Sequence, residues 1–296
     1  MLESLALQSH RPDLVVIVDS SAVSVREVTT QFGDRLAITY SHHLPPTASA
    51  QRNAGIKLVP NDIELIAFLD DDATLEPDAL EKMLAFWASA PADLGGAAFN
   101  MVNHPAQAMS AVKRWPLVRA LGIYADQPGR VTPSGWQTMI GFVEKDLETD
   151  WLPSGAALWR SEILRSCAFD EFFDGYSYLE DLDFSYTVRQ RWRLAVVAGA
   201  KYHHFPSPIR HTRQYAFGRT EVRNRLYLVT KHGLSYPRCW LGLLLRMTVT
   251  VCEAAMHPRS GAISRVAGNC AAMADEIKSP GRPRKLRIEP SASQPQ

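Results

Sequence analysis

The chain has 296 residues, 46% hydrophobic and 21% charged, enough for one large domain, or one domain with an appendage, and unlike a disordered, fibrous or disulfide-stapled composition. Its four cysteines (Cys167, Cys239, Cys252, Cys270) are scattered with no CxxC pair or zinc-like spacing, so they read as reduced and structural, which suits a cytoplasmic protein. The net charge of +1 hides an asymmetry: residues 1–200 carry 16 Lys/Arg against 26 Asp/Glu, and residues 201–296 carry 16 against 5.

Taken in order, the N-terminus shows no signal peptide, because Leu2 to Leu7 is too short an apolar stretch and no basic region precedes it. Leu14-Val15-Val16-Ile17-Val18 is a β-branched apolar run bounded by Pro12 and Asp19-Ser20-Ser21, a central strand ending in a polar loop. Val23 to Phe32 reads as a helix closed by Gly33-Asp34, Leu36 to Tyr40 as a second strand, and Ala48 to Leu58 as a helix carrying Arg52 and Asn53. A third strand, Glu64 to Leu69, runs into Asp70-Asp71-Asp72, followed by a helix from Pro77 to about Ala88. Strands alternating with helices in short units predict an α/β fold with a mostly parallel sheet covered on both faces, its ligands beyond the carboxyl ends of the strands. Asp19 and the Asp triplet both sit there.

Alternation along an extended chain puts Asp70 and Asp72 on one side and Asp71 opposite. Converging carboxylates repel each other, and a hard divalent cation, Mg²⁺ or Mn²⁺, satisfies them while leaving coordination positions for water and phosphate. The competing reading makes Asp72 or Thr74 a cap for the helix that opens near Pro77.

Leu94 to Met101 is another strand. From Asn103 to Asp150 the pattern weakens into an excursion able to shape an acceptor pocket. Leu152 to Trp159, containing Ser154-Gly155-Ala156-Ala157, returns to strand-like order, Ser161 to Ser166 is a short helix, and a loop of acids and aromatics spans Phe169 to Tyr178. Glu180-Asp181-Leu182-Asp183 opens a helix running to about Trp192. Acids in a first turn suit the helix dipole, and one of them at a cleft can also serve as a general base. Leu194 to Ala198 is a strand leading to Tyr202-His203-His204, where one histidine is a further ligand for a carboxylate metal site.

Arg210 to His232 reads as a basic helix, with Arg213, Arg219, Arg223 and Arg225 among aromatic and apolar residues. Cys239 to Met256 is long and apolar but contains Arg246 and Glu253. A central charge costs about 2.5–3.5 kcal/mol on insertion scales, so the stretch reads as a buried or interfacial helix. The domain plan is a core over 1–205, a basic and apolar helical extension over 206–260, and a flexible tail over 261–296. The basic region calls for an anionic partner, a phospholipid surface or a phosphate-bearing substrate. It carries no nucleic-acid motif, so no nucleic-acid partner is expected.

The order of these motifs, from roughly Leu5 to Leu228, resembles family 2 glycosyltransferases, the inverting nucleotide-sugar enzymes of GT-A fold. On that resemblance Asp19 contacts the nucleotide, and Arg52-Asn53-Ala54-Gly55 looks like the family's Arg-Asn-x-Gly helix, with Arg52 and Asn53 on the donor side. Asp70-Asp71-Asp72 looks like its Asp-x-Asp motif, with Asp72 and Asp70 at the metal and Asp70 and Asp71 toward the donor. Ser154-Gly155-Ala156-Ala157 is similar to its acceptor-side strand, and Gly155, Tyr178 and Glu180 are placed there. Asp181 of Glu180-Asp181 matches the catalytic base, and His204, with His203 as the near alternative, matches the late histidine that joins the metal. Arg223 to Leu228 is similar to a segment of rhamnosyltransferase-like members. The family usually opens with a further strand ending in a Pro-Thr-Tyr-Asn-like turn. Met1 to Leu5 looks like the helix after it, so either the native chain starts upstream or this member lacks that strand.

The resemblance implies metal-assisted transfer of a sugar, with inversion, from a UDP-, dTDP- or GDP-linked donor to a glycan or lipid-linked acceptor, at the cytoplasmic face of the membrane with possible peripheral contact. Two other readings stand beside it: a nucleotidyltransferase, for which the triphosphate-cradling Gly-rich loop is missing, and a non-catalytic remnant that binds nucleotide or glycan.

Overall fold

Short apolar runs form the strands, from the β-branched residues 15–18 to the alanine-rich residues 156–159, and the computed structural model places them in two sheets. It describes residues 1–44, 46–103, 115–175, 177–206, 213–256 and 261–278. After helix α1 (Leu2–Ala6), β1 (Val15–Asp19), α2 (Arg26–Thr30) and β2 (Ile38–His42) make a two-stranded parallel sheet with Asp19 opposite His42. Helix α3 (Ala48–Ile56) follows, its N-cap Thr47 accepting from the Ala50 N–H.

Strands β3 (Leu65–Leu69), β4 (Ala73–Leu75), β5 (Leu94–Met101), β6 (Leu147–Thr149), β7 (Ala156–Arg160) and β8 (Arg193–His204) form a six-stranded sheet in the order β3-β7-β5-β8-β4, with β6 also on β8. The expectation of a mostly parallel sheet is corrected here: β5–β8 is parallel, but β3–β7, β5–β7, β4–β8 and β6–β8 are antiparallel. The long excursion after β5 returns the chain at the carboxyl end of β3 and β5, so β7 runs back between them. That reversal matters, because the register Leu69↔Ala156 brings Gly155 opposite Asp70.

Successive residues of the central strands feed opposite faces. Ala98, Ala157, Trp159, Leu194 and Val196 pack with α6 (Ser161–Ser166) and α7 (Glu180–Val188), whereas Ala97, Phe99, Ala156, Leu158 and Val197 pack with α1 and α4 (Ala79–Ala88). Trp159 is wholly buried, and its truncation to Ala is worth about 3–5 kcal/mol. The excursion holds α5 (Pro116–Ala120) and a cavity of about 580 Å³ lined by Arg119, Tyr124, Asp126, Thr132 and Pro133.

The C-terminal part consists of α8 (Gln214–Lys231), α9 (Tyr236–Met256) and α10 (Ala262–Lys278). Residues 262–278, expected in a flexible tail, are this last helix, and residues 279–296 lie outside the described residues. Helices α8 and α10 meet backbone to backbone: a Cβ at Gly218 would strike the Arg265 carbonyl, and one at Gly268 the Tyr215 carbonyl. Buried Glu221 accepts from Arg265 at 2.8 Å and from Asn269 at 3.2 Å beside that contact. By length and composition α9 is long and apolar enough to cross a membrane.

The basic helix does not simply present its charge outward. Arg219 pairs with Asp275, Arg223 with Asp174, and Lys231 with Asp170 and Asp183. The acidic and basic parts of the sequence partly neutralise each other inside one fold, which tempers the expected external anionic partner. Arg210, the expected start of the basic helix, lies outside the described residues.

Candidate active site

Four segments converge at the carboxyl end of β3. Arg52 from α3 is the hub: one guanidinium nitrogen donates to Glu180 Oε1 and the other to Asp70 Oδ1 at 3.2 Å, with the rings of Phe68 and Phe169 at 5.9 and 5.5 Å from its centre. Burial opposes the charge on Arg52, but Glu180 and Asp70 overcome it and hold its pKa above the ordinary value. The Asp70 N–H donates to the Gly155 carbonyl at 2.9 Å, and a Cβ at Gly155 would run into the Asp70 carboxylate. Glycine at 155 therefore makes the room in which that carboxylate stands.

Asp72 and His204 meet across the β4–β8 ladder, where Ala73 faces His204. Asp72 Oδ1 is 3.2 Å from His204 Nε2, and it is a buried oxygen with no hydrogen-bond donor aimed at it. His203, the near alternative, faces the other way toward Glu76 at 3.7 Å, as alternation requires. Asp71 is exposed at the turn. Among the described residues no three His, Cys, Asp or Glu side chains are gathered into a closed metal centre. An orphaned carboxylate oxygen beside an imidazole nitrogen fits a Mg²⁺ or Mn²⁺ site that draws its remaining ligands from water and a diphosphate.

Glu180 and Asp181 stand at the start of α7, entered through two residues with left-handed backbone, Ser177 (φ 52°) and Leu179 (φ 73°). Such a conformation costs a non-glycine residue about 1–2 kcal/mol, and strain of this kind collects at functional sites. Burial pushes Glu180 up to about 7 against the pull of Arg52, and leaves its Oε2 without a partner. Burial also raises Asp181, whose Oδ1 accepts from the Leu182 N–H at 2.7 Å; Arg52 and Arg225 favour its charged form and Asp70 opposes it. Glu180 is thus turned inward to Arg52, while Asp181 remains half-buried.

Two donor-side expectations take a different form. Asn53 holds the acidic loop: its amide donates to the Phe169 carbonyl at 2.9 Å and accepts from the Phe169 N–H at 2.9 Å. Asp19 accepts from the hydroxyl of Ser21, the N–H of Ser21 at 2.8 Å, the N–H of Val25 at 3.0 Å and the hydroxyl of Tyr40 at 2.6 Å. Burial works against its charge, yet these donors keep its carboxyl well below the usual carboxylate range. Both residues shape loops at the site before they can touch a ligand.

Sequence reasoning gave no role to Tyr40 or Arg225. Arg225 is wholly buried and donates to the Gly135 carbonyl, to Gln137 Oε1 at 2.8 Å and to the Tyr178 hydroxyl at 3.2 Å, with its centre 4.3 Å from the Trp136 ring. Its only signal was a place in the Arg223 to Leu228 segment.

The sequence model described as Glycosyl transferase family 2 matches residues 1–149. The chain belongs to this family. Curated protein sequences include no match. Among solved structures, this family 2 glycosyltransferase is similar to Staphylococcus aureus TarS 1-349 in complex with UDP-GlcNAc, at 16% identity and a TM-score of 0.55, covering 94% of this chain and 76% of that one. It is also similar to the mannosyltransferase PcManGT from Pyrobaculum calidifontis in complex with GDP-Man and Mn²⁺, at 16% identity and a TM-score of 0.50, covering 95% and 71%. At these identities the likeness bears on the fold, which is the GT-A arrangement.

Proposed function

We propose that the protein transfers a sugar from a nucleoside diphosphate donor to an acceptor hydroxyl with inversion, in a divalent-cation-dependent reaction. The observation that carries this reading is the Arg52 hub, which joins the Asp70 strand end to the start of the Glu180-Asp181 helix. TarS and PcManGT were solved with nucleotide sugars, which supports a donor of that class. Asp72 and His204, with Asp70 alongside, would hold Mg²⁺ or Mn²⁺, which when bound offsets the charge that grows on a leaving diphosphate. Asp181 takes the proton from the acceptor hydroxyl as that oxygen attacks the face opposite the leaving group. Its raised pKa gives it a stronger pull on that proton than an ordinary aspartate has. Arg52 keeps Glu180 and Asp70 apart and adds fixed positive charge beside the donor, while Asp71 and Asp19 border the nucleotide side.

The acceptor is a glycan or lipid-linked glycan. The cavity of about 580 Å³ in the excursion and the exposed apolar residues Leu241, Leu244, Val251 and Met256 of α9 support an acceptor met at the cytoplasmic membrane face. The deciding experiment is release of nucleoside diphosphate from a panel of UDP-, dTDP- and GDP-sugars with Mn²⁺ or Mg²⁺. Metal-dependent release from one donor, abolished in Asp181→Asn, is expected; a chain that binds nucleotide and releases nothing is a non-catalytic relative. Sedimentation with anionic vesicles at low salt tests the membrane contact, and a protein that stays in the supernatant overturns it.

A further inference from the structure

Helix α8 carries three consecutive polar residues, Arg223-Asn224-Arg225, that turn away from solvent and grip the segment leading into α7. Asn224 is wholly buried, and its side-chain amide donates to the Tyr178 carbonyl at 2.6 Å. Arg223 donates to Asn224 Oδ1 at 2.9 Å and to Asp174 Oδ1 at 2.6 Å, and lies 4.9 Å from the Phe172 ring. Arg225 donates to the Tyr178 hydroxyl at 3.2 Å. Tyr178 is therefore held at its backbone and at its ring end by neighbours on one helix, between the left-handed Ser177 and Leu179. Leu179 is the N-cap residue of α7, so the direction of this turn fixes where Glu180 and Asp181 point.

A left-handed leucine persists only where its surroundings over-determine it. The Ser177 hydroxyl accepts from the Ala48 N–H at 3.1 Å, and the Ser177 N–H donates to the Asp174 carbonyl at 3.0 Å. The Glu180 N–H closes the turn on the Ser177 carbonyl at 3.1 Å, and α8 adds the restraint on Tyr178 between them. Arg225 is a second anomaly: a buried guanidinium whose partners, Gly135, Gln137 and Tyr178, are all neutral. Charge so placed is costly unless something gains from it. The neighbour positioned to gain is the Tyr178 phenol, which Arg225 touches. That phenol accepts from a cation and so becomes a stronger donor with its own proton.

We infer that Arg223-Asn224-Arg225 is a positioning clamp for the transfer reaction, holding the left-handed turn at 177–179 so that Asp181 meets the acceptor hydroxyl and Tyr178 donates to a substrate oxygen. The inference rests on the glycosyl-transfer reading for its chemistry but not for its mechanics, and the two are separable by experiment. Asn224→Asp keeps an acceptor for Arg223 but replaces the donor to Tyr178 by a carboxylate oxygen that repels its carbonyl; Arg225→Lys keeps the charge and loses the fork.

Hydrogen exchange of the 180–183 amides reads the clamp without any substrate. Exchange at least tenfold faster in Asn224→Asp, with the strands of the sheet unchanged, is expected, and protection equal to the wild type overturns the clamp. Should that variant fail to fold, Arg225→Lys and Tyr178→Phe supply the same reading through a double-mutant cycle on the transfer rate, in which non-additive losses are expected and additive ones overturn it. On the donor that the wild type turns over, kcat is expected to fall tenfold or more with little change in KM. If the wild type turns over no donor at all, the transferase reading fails while the exchange result still decides the clamp.

Discussion

Gly155 stands opposite Asp70 across the β3–β7 ladder, its carbonyl accepting the Asp70 N–H at 2.9 Å and its missing side chain leaving space for the Asp70 carboxylate. An acid at a strand end is mobile unless something defines its place, and here an antiparallel neighbour and Arg52 define it together. The entry to β7 is thereby tied to the Asp70 strand end through its backbone.

Gly155→Ala is accordingly expected to displace Asp70 from Arg52 and to destabilise the fold by about 1–3 kcal/mol, as overpacking does. Thermal unfolding reads the stability. Nucleotide-sugar turnover is expected to fall further than stability alone explains, and a variant with wild-type melting temperature and turnover contradicts the arrangement.

Asp181→Asn is expected to lower transfer at least ~100-fold, the scale of general-base loss, while donor binding by calorimetry stays within about twofold. Burial raises the Asp181 pKa above its ordinary 3.8. The base is active when ionised, so the rate should fall as pH drops through that raised value, at a higher pH than an exposed aspartate would give.

Removal of either member of the Asp72–His204 pair should weaken Mn²⁺ binding about tenfold or more, with Asp72→Ala the larger effect because it removes the charge. Titration of Mn²⁺ in the presence of UDP or GDP measures it. His203→Ala, on the opposite face of the strand with Glu76, should leave the affinity near that of the wild type.

Asp19→Asn tests the nucleotide-side loop through stability. The folded pKa of Asp19 lies below the ordinary 3.8, so its contribution is present above 3.8 and fades as pH falls through that value toward the folded one. The melting temperature of Asp19→Asn should be lower than wild type near neutral pH, and the gap should begin to narrow only once the pH falls below the ordinary 3.8. A gap independent of pH would mean that shape, not charge, holds the Ser21–Val25 loop.

The strands were legible because apolar runs such as Val15–Val18 and Leu65–Leu69 end abruptly in acids, a one-dimensional signal. Strand direction was not, because whether β7 runs with or against β3 depends on where the excursion returns the chain. Asp72 and His204 could be nominated by motif order, and the ladder then separated His204 from His203. Asn53 carried a motif that points to the donor, yet its amide serves the Phe169 backbone, a partner set by tertiary folding. Arg225 reads in sequence as one of the arginines of a basic helix. Its burial follows from Gly135, Gln137 and Tyr178, residues no local pattern links to it.

Helix α8 bears two loads on neighbouring turns: Glu221 and Gly218 seat the last helix, and Asn224 seats the turn ahead of Asp181. A disturbance at the far C-terminal helix therefore has a short mechanical route to the reacting centre. The packing that leads to this turn extends to the helix ending at Lys278, well past the segment matched by the family model. A ligand or partner that gripped α10 could govern turnover without ever approaching the donor.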